Sequence, residues 1–161
     1  MVDSPTPEEP VPVVDPTTEE REVSVGAPFP VVGIGASAGG LEAFTALFRA
    51  MPADTGMAFV LVQHLAPEHA SSLAEIVSRS TPMPVAEVGG DLALQPNHLY
   101  IMPPDRNLEV SGGVLRLVPR EAHGRLRSID RFFLSLANSQ KHLAIGAVSY
   151  THLTLPTILR V

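Results

Sequence analysis

A strand-like apolar run that ends in a glycine-rich turn constrains the fold of this chain more than any other feature. The run covers residues 30–34, and the segment Gly35-Ala36-Ser37-Ala38-Gly39 follows at once. From residue 40 onwards, apolar residues recur at spacings of three and four, which is typical of the apolar face of a helix: Leu41, Phe44, Leu47 and Phe48. The sequence therefore predicts a strand–turn–helix unit that holds the hydroxyl of Ser37 at the edge of a sheet, beside the N–H groups that open the helix.

A second apolar run places a histidine in a matching position. Residues 57–63 predict the next strand, which ends at His64, and residues 70–80 predict the next helix. Strand, helix, strand and helix in succession predict parallel pairing, in which neighbouring strands lie about 5 Å apart. We therefore expect the imidazole of His64 close to the hydroxyl of Ser37, as a general base beside a nucleophile.

The second half of the chain predicts short strands followed by one more helix and strand. Residues 107–110 and 114–117, joined by Ser111-Gly112-Gly113, have the alternation and the glycine turn of a β-hairpin. Ser128 is predicted to cap a helix that runs to about Gln140. Residues 142–148 predict a returning buried strand.

Charge is distributed unevenly along the chain. Residues 1–28 hold seven acids, one arginine and six prolines, which is typical of a disordered lead or linker. Residues 29–161 hold ten residues of each sign, so no basic excess attracts nucleic acid or an anionic membrane. There is no cysteine, no apolar run of about 18 residues and no signal-peptide pattern. We therefore expect a cytoplasmic protein without disulfides, thiolate metal sites or a membrane insertion.

The glycine pattern has a second interpretation, which remains open at this point. Gly33-x-Gly35-x-x-Ala38, between a strand and a helix, is also found in dinucleotide-binding folds. Such sites usually end the second strand with an acid that binds the ribose, whereas Gln63-His64 ends it here. This favours hydrolysis, with no cofactor, over a nucleotide- or phosphate-binding module or an inert interaction domain. No metal is predicted, because metal-ligand spacing is lacking around the other histidines: His69, His98, His123, His142 and His152.

An ordered series of motifs runs through residues 29–148. The motifs are Gly33-Ile34-Gly35-Ala36-Ser37-Ala38-Gly39-Gly40-Leu41-Glu42-Ala43, Val62-Gln63-His64, Leu94-Gln95-Pro96-Asn97-His98-Leu99-Tyr100-Ile101, Pro103-Pro104-Asp105-Arg106-Asn107, Ser128-Ile129-Asp130-Arg131-Phe132-Phe133 and Ala144-Ile145-Gly146. Together they resemble the catalytic domain of the CheB-type protein-glutamate methylesterases of bacterial chemotaxis. The resemblance implies an α/β fold: a doubly wound, mostly parallel, Rossmann-like sheet with helices on both faces and an inserted antiparallel hairpin.

The resemblance also implies a reaction and a partner. Ser37 would attack the γ-carboxyl methyl ester of a glutamate side chain on the cytoplasmic domain of a methylated chemoreceptor. His64 would take the serine proton and give it to the departing methanol, after which water releases free glutamate. Backbone N–H groups near Ala38 and in a later glycine-rich loop would form the oxyanion hole. Some relatives also deamidate glutamine through the same acyl-enzyme.

The chain departs from the family pattern at both ends. Members of the response-regulator kind carry a receiver domain, whereas residues 1–28 are acidic and proline-rich, which is similar to variants fused to methyltransferase or sensory domains. The family continues after residue 148 with a loop that contains the aspartate orienting the histidine. Residues 149–161 match no family pattern and are expected to be a foreign or frameshifted end. We therefore expect a C-terminally incomplete domain of reduced activity, since none of the remaining candidates lies in that aspartate's position: Asp91, Asp105 and Asp130.

Overall fold

The computed structural model describes residues 26–63, 70–120 and 128–149. Within them, the strands are β1 (Val31–Ala36), β2 (Ala58–Gln63), β3 (Val85–Glu87), β4 (Leu92–Ala93), β5 (Leu99–Ile101), β6 (Arg106–Ser111), β7 (Val114–Pro119) and β8 (Ala144–Ser149). The helices are α1 (Leu41–Ala50), α2 (Ala70–Ser78) and α3 (Ser128–Gln140), with short 3-10 turns at Ala38–Gly40 and Lys141–Leu143. The main sheet is parallel, in the order β3-β5-β2-β1-β8, and a smaller antiparallel sheet has the order β4-β7-β6.

The central strand β1 is buried on both faces, which explains its unbroken apolar sequence. On one face, Val32 and Ile34 pack in a cluster with residues of α1 and α2, among them Phe44 and Phe48. On the other face, Val31 packs in a cluster with residues of α3. Helices therefore cover both faces of a parallel sheet, and the predicted doubly wound α/β fold is confirmed.

Two glycines of β1 allow α3 to approach the sheet closely. A Cβ atom added at Gly33 would lie 2.9 Å from side-chain carbons of Leu136 and Phe132, and one added at Gly35 would lie 2.8 Å from Ile129. Real Cβ atoms do not tolerate such distances to packed carbon atoms. The helix therefore accounts for both glycines of the G-x-G pattern without a nucleotide.

Substitution of Gly33 by alanine is expected to destabilise the chain by about 1–3 kcal/mol, because the added methyl overpacks the contact with α3. Gly89 provides a matched control, since a Cβ atom there would meet nothing within 4 Å. Urea unfolding followed by circular dichroism measures both variants. We expect Gly89→Ala to stay within about 0.5 kcal/mol of the unaltered chain; equal losses in the two variants would contradict the packing argument.

The predicted hairpin is confirmed as β6 and β7. Ser111 pairs with Val114, which leaves Gly112 and Gly113 as a two-residue loop with φ angles of 58° and 73°. Positive φ at both loop positions is the geometry of the type I′ turn that matches strand twist. The structure adds β4, a two-residue strand that pairs with β7 and that the sequence did not predict.

Two expectations about single elements are corrected. The returning strand predicted over residues 142–148 is β8, which pairs parallel to β1, but it is an edge strand rather than a buried one, with Ile145 43% and Val148 50% exposed. Among the described residues, no strand pairs with its outer edge. Ser128 was expected to cap α3, but it is the first residue of that helix, and its hydroxyl donates to Oδ1 of Asn107 at 2.5 Å. This contact ties the start of α3 to β6.

A buried tyrosine in β5 gives the fold a dependence on alkaline pH. Tyr100 is 2% exposed, and its hydroxyl oxygen accepts a hydrogen bond from the backbone N–H of Gln95 at 2.9 Å. Burial raises the pKa of the Tyr100 phenol above its ordinary value, and the bond from Gln95 lowers it by a smaller amount. Because the pKa is raised by folding, this contribution to stability is complete below pH of about 10 and is lost as the pH rises through the folded-state pKa.

We therefore expect the urea midpoint of the unaltered chain to fall more steeply above pH of about 10 than that of Tyr100→Phe. The phenylalanine variant also loses the bond from Gln95, which lowers its midpoint at every pH. The difference between the alkaline slopes is therefore the informative quantity. Identical slopes would show that ionisation of Tyr100 is not coupled to unfolding.

Candidate functional site

Ser37 lies where the chain leaves the main sheet. It follows the last residue of β1, and the N–H of Gly40 donates to its carbonyl oxygen at 2.9 Å, which closes the Ala38–Gly40 turn that leads into α1. Its backbone is extended, with φ −83° and ψ 172°, so this serine does not use the strained conformation of a nucleophile elbow. Ser37 is exposed, and within this turn its hydroxyl makes no capping hydrogen bond. The hydroxyl is therefore not committed to capping the helix.

The strand register shows which residue accompanies Ser37 at this edge. β1 and β2 are parallel, and Ala36 pairs with Gln63. The residue after Ala36 is Ser37, and the residue after Gln63 is His64. His64 lies outside the described residues, so its proximity to Ser37 stays a prediction. The last residues of the two strands, Ala36 and Gln63, are paired as that prediction requires.

Gln63 is a site residue that sequence reasoning missed. Its side-chain Nε2 donates to the carbonyl oxygen of Ser37 at 3.0 Å, and the residue is only 4% exposed. Its Oε1 is buried and has no hydrogen-bond partner among the described residues. The signal in the sequence was a polar residue at the end of a buried apolar strand, which we interpreted only as the absence of a ribose-binding acid.

The other polar candidates lie apart from this edge or serve the fold. His98 precedes β5, where its Nδ1 lies 2.9 Å from the carbonyl oxygen of Pro96 and its ring stacks on that of Tyr100. Asp105 lies 3.6 Å from the guanidinium of Arg106 on the surface. His69, His123 and His152 lie outside the described residues. Within the described ranges, no three acidic or histidine side chains form a group that could hold a metal ion.

An open apolar groove adjoins the site edge. It has a volume of about 440 Å³ and lies between α1 and β8, where it is lined by Ile34, Phe44, Leu47, Val148 and Ser149 together with two alanines. Leu47, which the helical spacing placed on the apolar face, is 44% exposed. Ser149 pairs in register with Ala36, so the groove ends beside the turn that carries Ser37.

Comparison with known proteins identifies the family. The model of the family described as CheB methylesterase matches residues 32–149. The chain belongs to the CheB methylesterase family. This match confirms the resemblance that the motifs indicated, and it includes β2, the turn at Ser37 and all of β1 except its first residue.

Relatives in this family carry two activities in their names. A protein-glutamate methylesterase/protein-glutamine glutaminase 2 of Burkholderia lata is 38% identical over 120 residues, which cover 73% of this chain and 35% of the relative. The protein of that name from Vibrio vulnificus is 36% identical, over 74% of this chain and 36% of the relative. The chain thus spans about a third of the length of these CheB relatives.

A solved structure supports the fold independently. The catalytic domain of the CheB methylesterase of Thermotoga maritima superposes with a TM-score of 0.68 at 24% sequence identity, over 76% of this chain and 67% of that domain. The predicted fold class is therefore confirmed by the strand order and by this CheB structure. No helix in the described part of the chain has the length and hydrophobicity that crossing a membrane requires.

Proposed function

We propose that this chain is the nucleophile-bearing part of a serine hydrolase that removes methyl esters from glutamate side chains of chemoreceptors. Ser37 is the nucleophile and His64 its general base. The observation that carries the proposal is the exposed, uncapped Ser37 at the end of β1, in register with the strand that leads to His64. Family membership and the names of the relatives support the ester of glutamate as the substrate.

The reaction follows from the two side chains and the turn. The Oγ of Ser37 bonds to the ester carbonyl carbon while its proton passes to His64, and the carbonyl oxygen becomes an oxyanion. Collapse breaks the bond to the methoxy oxygen, which takes the proton from His64 and leaves as methanol. Water, deprotonated by His64, then cleaves the acyl-enzyme to give free glutamate and restores Ser37.

The start of the Ala38–Gly40 turn supplies donors for the oxyanion. The N–H of Gly40 donates to the carbonyl of Ser37. The N–H groups of Ala38 and Gly39 come before Gly40 in the same turn and take no part in that bond. A well-placed donor to an oxyanion lowers the barrier by about 3 kcal/mol. We assign this role to the N–H groups of Ala38 and Gly39.

The domain bounds, the partner, the location and a second activity are part of the same proposal. We assign the lead to residues 1–28, the CheB-type domain to residues 29–148 and a tail to residues 149–161, of which only residue 149 falls within the family match. The partner is the cytoplasmic domain of a methylated receptor, in the cytoplasm, with fused methyltransferase or sensory domains in the parent protein. Deamidation of glutamine would use the same acyl-enzyme, with ammonia leaving in place of methanol. The second activity in the relatives' names supports this reaction.

Methanol release tests the proposal. The purified chain is incubated with membranes that carry methylated receptor, and methanol is measured over time against membranes alone. We expect release above the uncatalysed rate. Calorimetric titration with nucleotides separates the alternative of a nucleotide-binding module, because the hydrolase predicts no saturable heat. Saturable nucleotide binding without methanol release would overturn the proposal.

A further inference from the structure

The side chain of Gln63 makes a hydrogen bond that backbone satisfaction does not require. A backbone carbonyl oxygen needs one donor, and the N–H of Gly40 already donates to that of Ser37 at 2.9 Å. Nε2 of Gln63 adds a second donor to the same oxygen at 3.0 Å, from a residue 26 positions away in the sequence. The carbonyl of Ser37 is therefore held from two directions, by its own turn and by the neighbouring strand.

The other half of the Gln63 amide makes this bond costly for stability. Oε1 is buried and has no partner among the described residues, and a buried acceptor without a donor is unfavourable. The two ends of the amide cannot be exchanged, because the Ser37 carbonyl only accepts hydrogen bonds and so must face the NH₂ group. An apolar side chain of similar length would fill the position without the buried, unpaired oxygen.

We infer that Gln63 is a positioning residue that holds the Ser37 turn for catalysis rather than for folding. This inference rests on the proposed function, since it takes Ser37 as the nucleophile. By fixing the carbonyl of Ser37, the amide also fixes the peptide plane that continues into the N–H of Ala38. The nucleophile and the first oxyanion donor thus keep one relative position while the reaction proceeds.

The inference makes opposite predictions for stability and for reactivity. In Gln63→Met the Ser37 carbonyl keeps its bond from Gly40, and the unpaired buried oxygen disappears. We expect the urea midpoint to stay unchanged or to rise. We expect the maximal rate of reaction at Ser37 to fall at least tenfold, because misplacement of a reacting group by about 1 Å costs up to about 100-fold. The reaction used is modification of Ser37 by a fluorophosphonate. The concentration of fluorophosphonate that gives half of the maximal modification rate should not change.

Thr45 provides a matched control for a buried polar side chain that bonds to backbone. Its hydroxyl donates within α1 toward the carbonyl oxygens of Leu41 and Glu42, at 2.8 and 2.9 Å, and the residue is 8% exposed. Thr45→Val should leave the urea midpoint close to that of the unaltered chain, because these carbonyls also accept backbone N–H groups of the helix. It should also leave the maximal rate at Ser37 unchanged, whereas Gln63→Met lowers that rate.

The experiment follows the modification of Ser37 by a fluorophosphonate, in which the serine oxygen bonds to phosphorus and fluoride leaves with the serine proton. Intact mass spectrometry gives the rate against reagent concentration for the unaltered chain, Gln63→Met, Gln63→Leu, Thr45→Val and Ser37→Ala. Slower modification at an unchanged or higher midpoint in either Gln63 variant supports the inference. Unchanged rates in both, or lower midpoints in both, overturn it while the proposed function stands. If Ser37→Ala is modified as fast as the unaltered chain, the proposed function fails, and the role of Gln63 fails with it.

Discussion

Replacing Ser37 with alanine is expected to reduce methanol release from methylated receptor by at least about 100-fold. In one serine-triad enzyme, loss of the serine alone costs about 2 × 10⁶ in turnover and loss of the aspartate alone about 3 × 10⁴, and losing all three members costs no more than losing the serine. Where no carboxylate orients the histidine, the loss on removing the serine is the ratio of these two costs, which is of the order of 100, and it is larger where a carboxylate does.

The folded state should be unaffected by the same substitution. Ser37 is exposed, and its hydroxyl makes no capping bond within the Ala38–Gly40 turn. The two hydrogen bonds that hold this residue use its backbone carbonyl, which alanine retains. We therefore expect equal urea midpoints for both chains. A variant that releases methanol at the original rate would exclude Ser37 as the nucleophile.

Replacing Phe132 with alanine is expected to destabilise the chain by about 3–5 kcal/mol, because a fully buried aromatic ring is removed from a packed core. Phe132 is 0% exposed and belongs to the cluster that joins α3 to the main sheet. Its ring also meets that of Phe133 edge to face, with centroids 6.1 Å apart. This change therefore removes one of the packed contacts between α3 and β1.

Leu134 on the same helix is the control. It is 51% exposed, so Leu134→Ala removes a side chain of comparable character without opening a cavity in the core. Chemical unfolding should place this variant within about 0.5 kcal/mol of the unaltered chain. Equal losses in the two variants would show that burial of the Phe132 ring is not the source of the loss.

Sequence patterns predicted two kinds of element well: strands that are buried on both faces, and turns whose geometry depends only on adjacent residues. β1 and β2 are covered on both faces, so β1 lacks polar side chains and β2 is apolar up to its last residue, Gln63. The hairpin turn depends only on two adjacent glycines that adopt positive φ. Such features need no knowledge of distant residues, and the structure confirms them.

The features that were missed depend on residues far apart in the chain. β8 has the composition of a buried strand, but its exposure is decided by whether another strand pairs with its outer edge. Leu47 has the spacing of an inward residue, but it faces the groove between α1 and β8. The role of Gln63 needs the register of β1 against β2, which no local pattern reveals.

The same reasoning applies to the site. The ends of two parallel strands predict that Ser37 and His64 share one sheet edge, because carboxyl ends of parallel neighbours meet there, and for His64 this stays a prediction. The structure places Ser37 at that edge and brings β2 into register beside it. The G-x-G pattern, by contrast, was ambiguous until the contacts of α3 with Gly33 and Gly35 were known.

Peptide mapping of the unaltered chain after treatment with a fluorophosphonate tests the central claim most directly. The reagent bonds to a serine oxygen only where that oxygen is an activated nucleophile, and mass spectrometry identifies the serine that carries the adduct. We predict a single adduct per chain, on the peptide that contains Ser37. Adduct on another serine, or a chain that stays unmodified under conditions that label a serine hydrolase run in parallel, would contradict the assignment of Ser37 as the nucleophile.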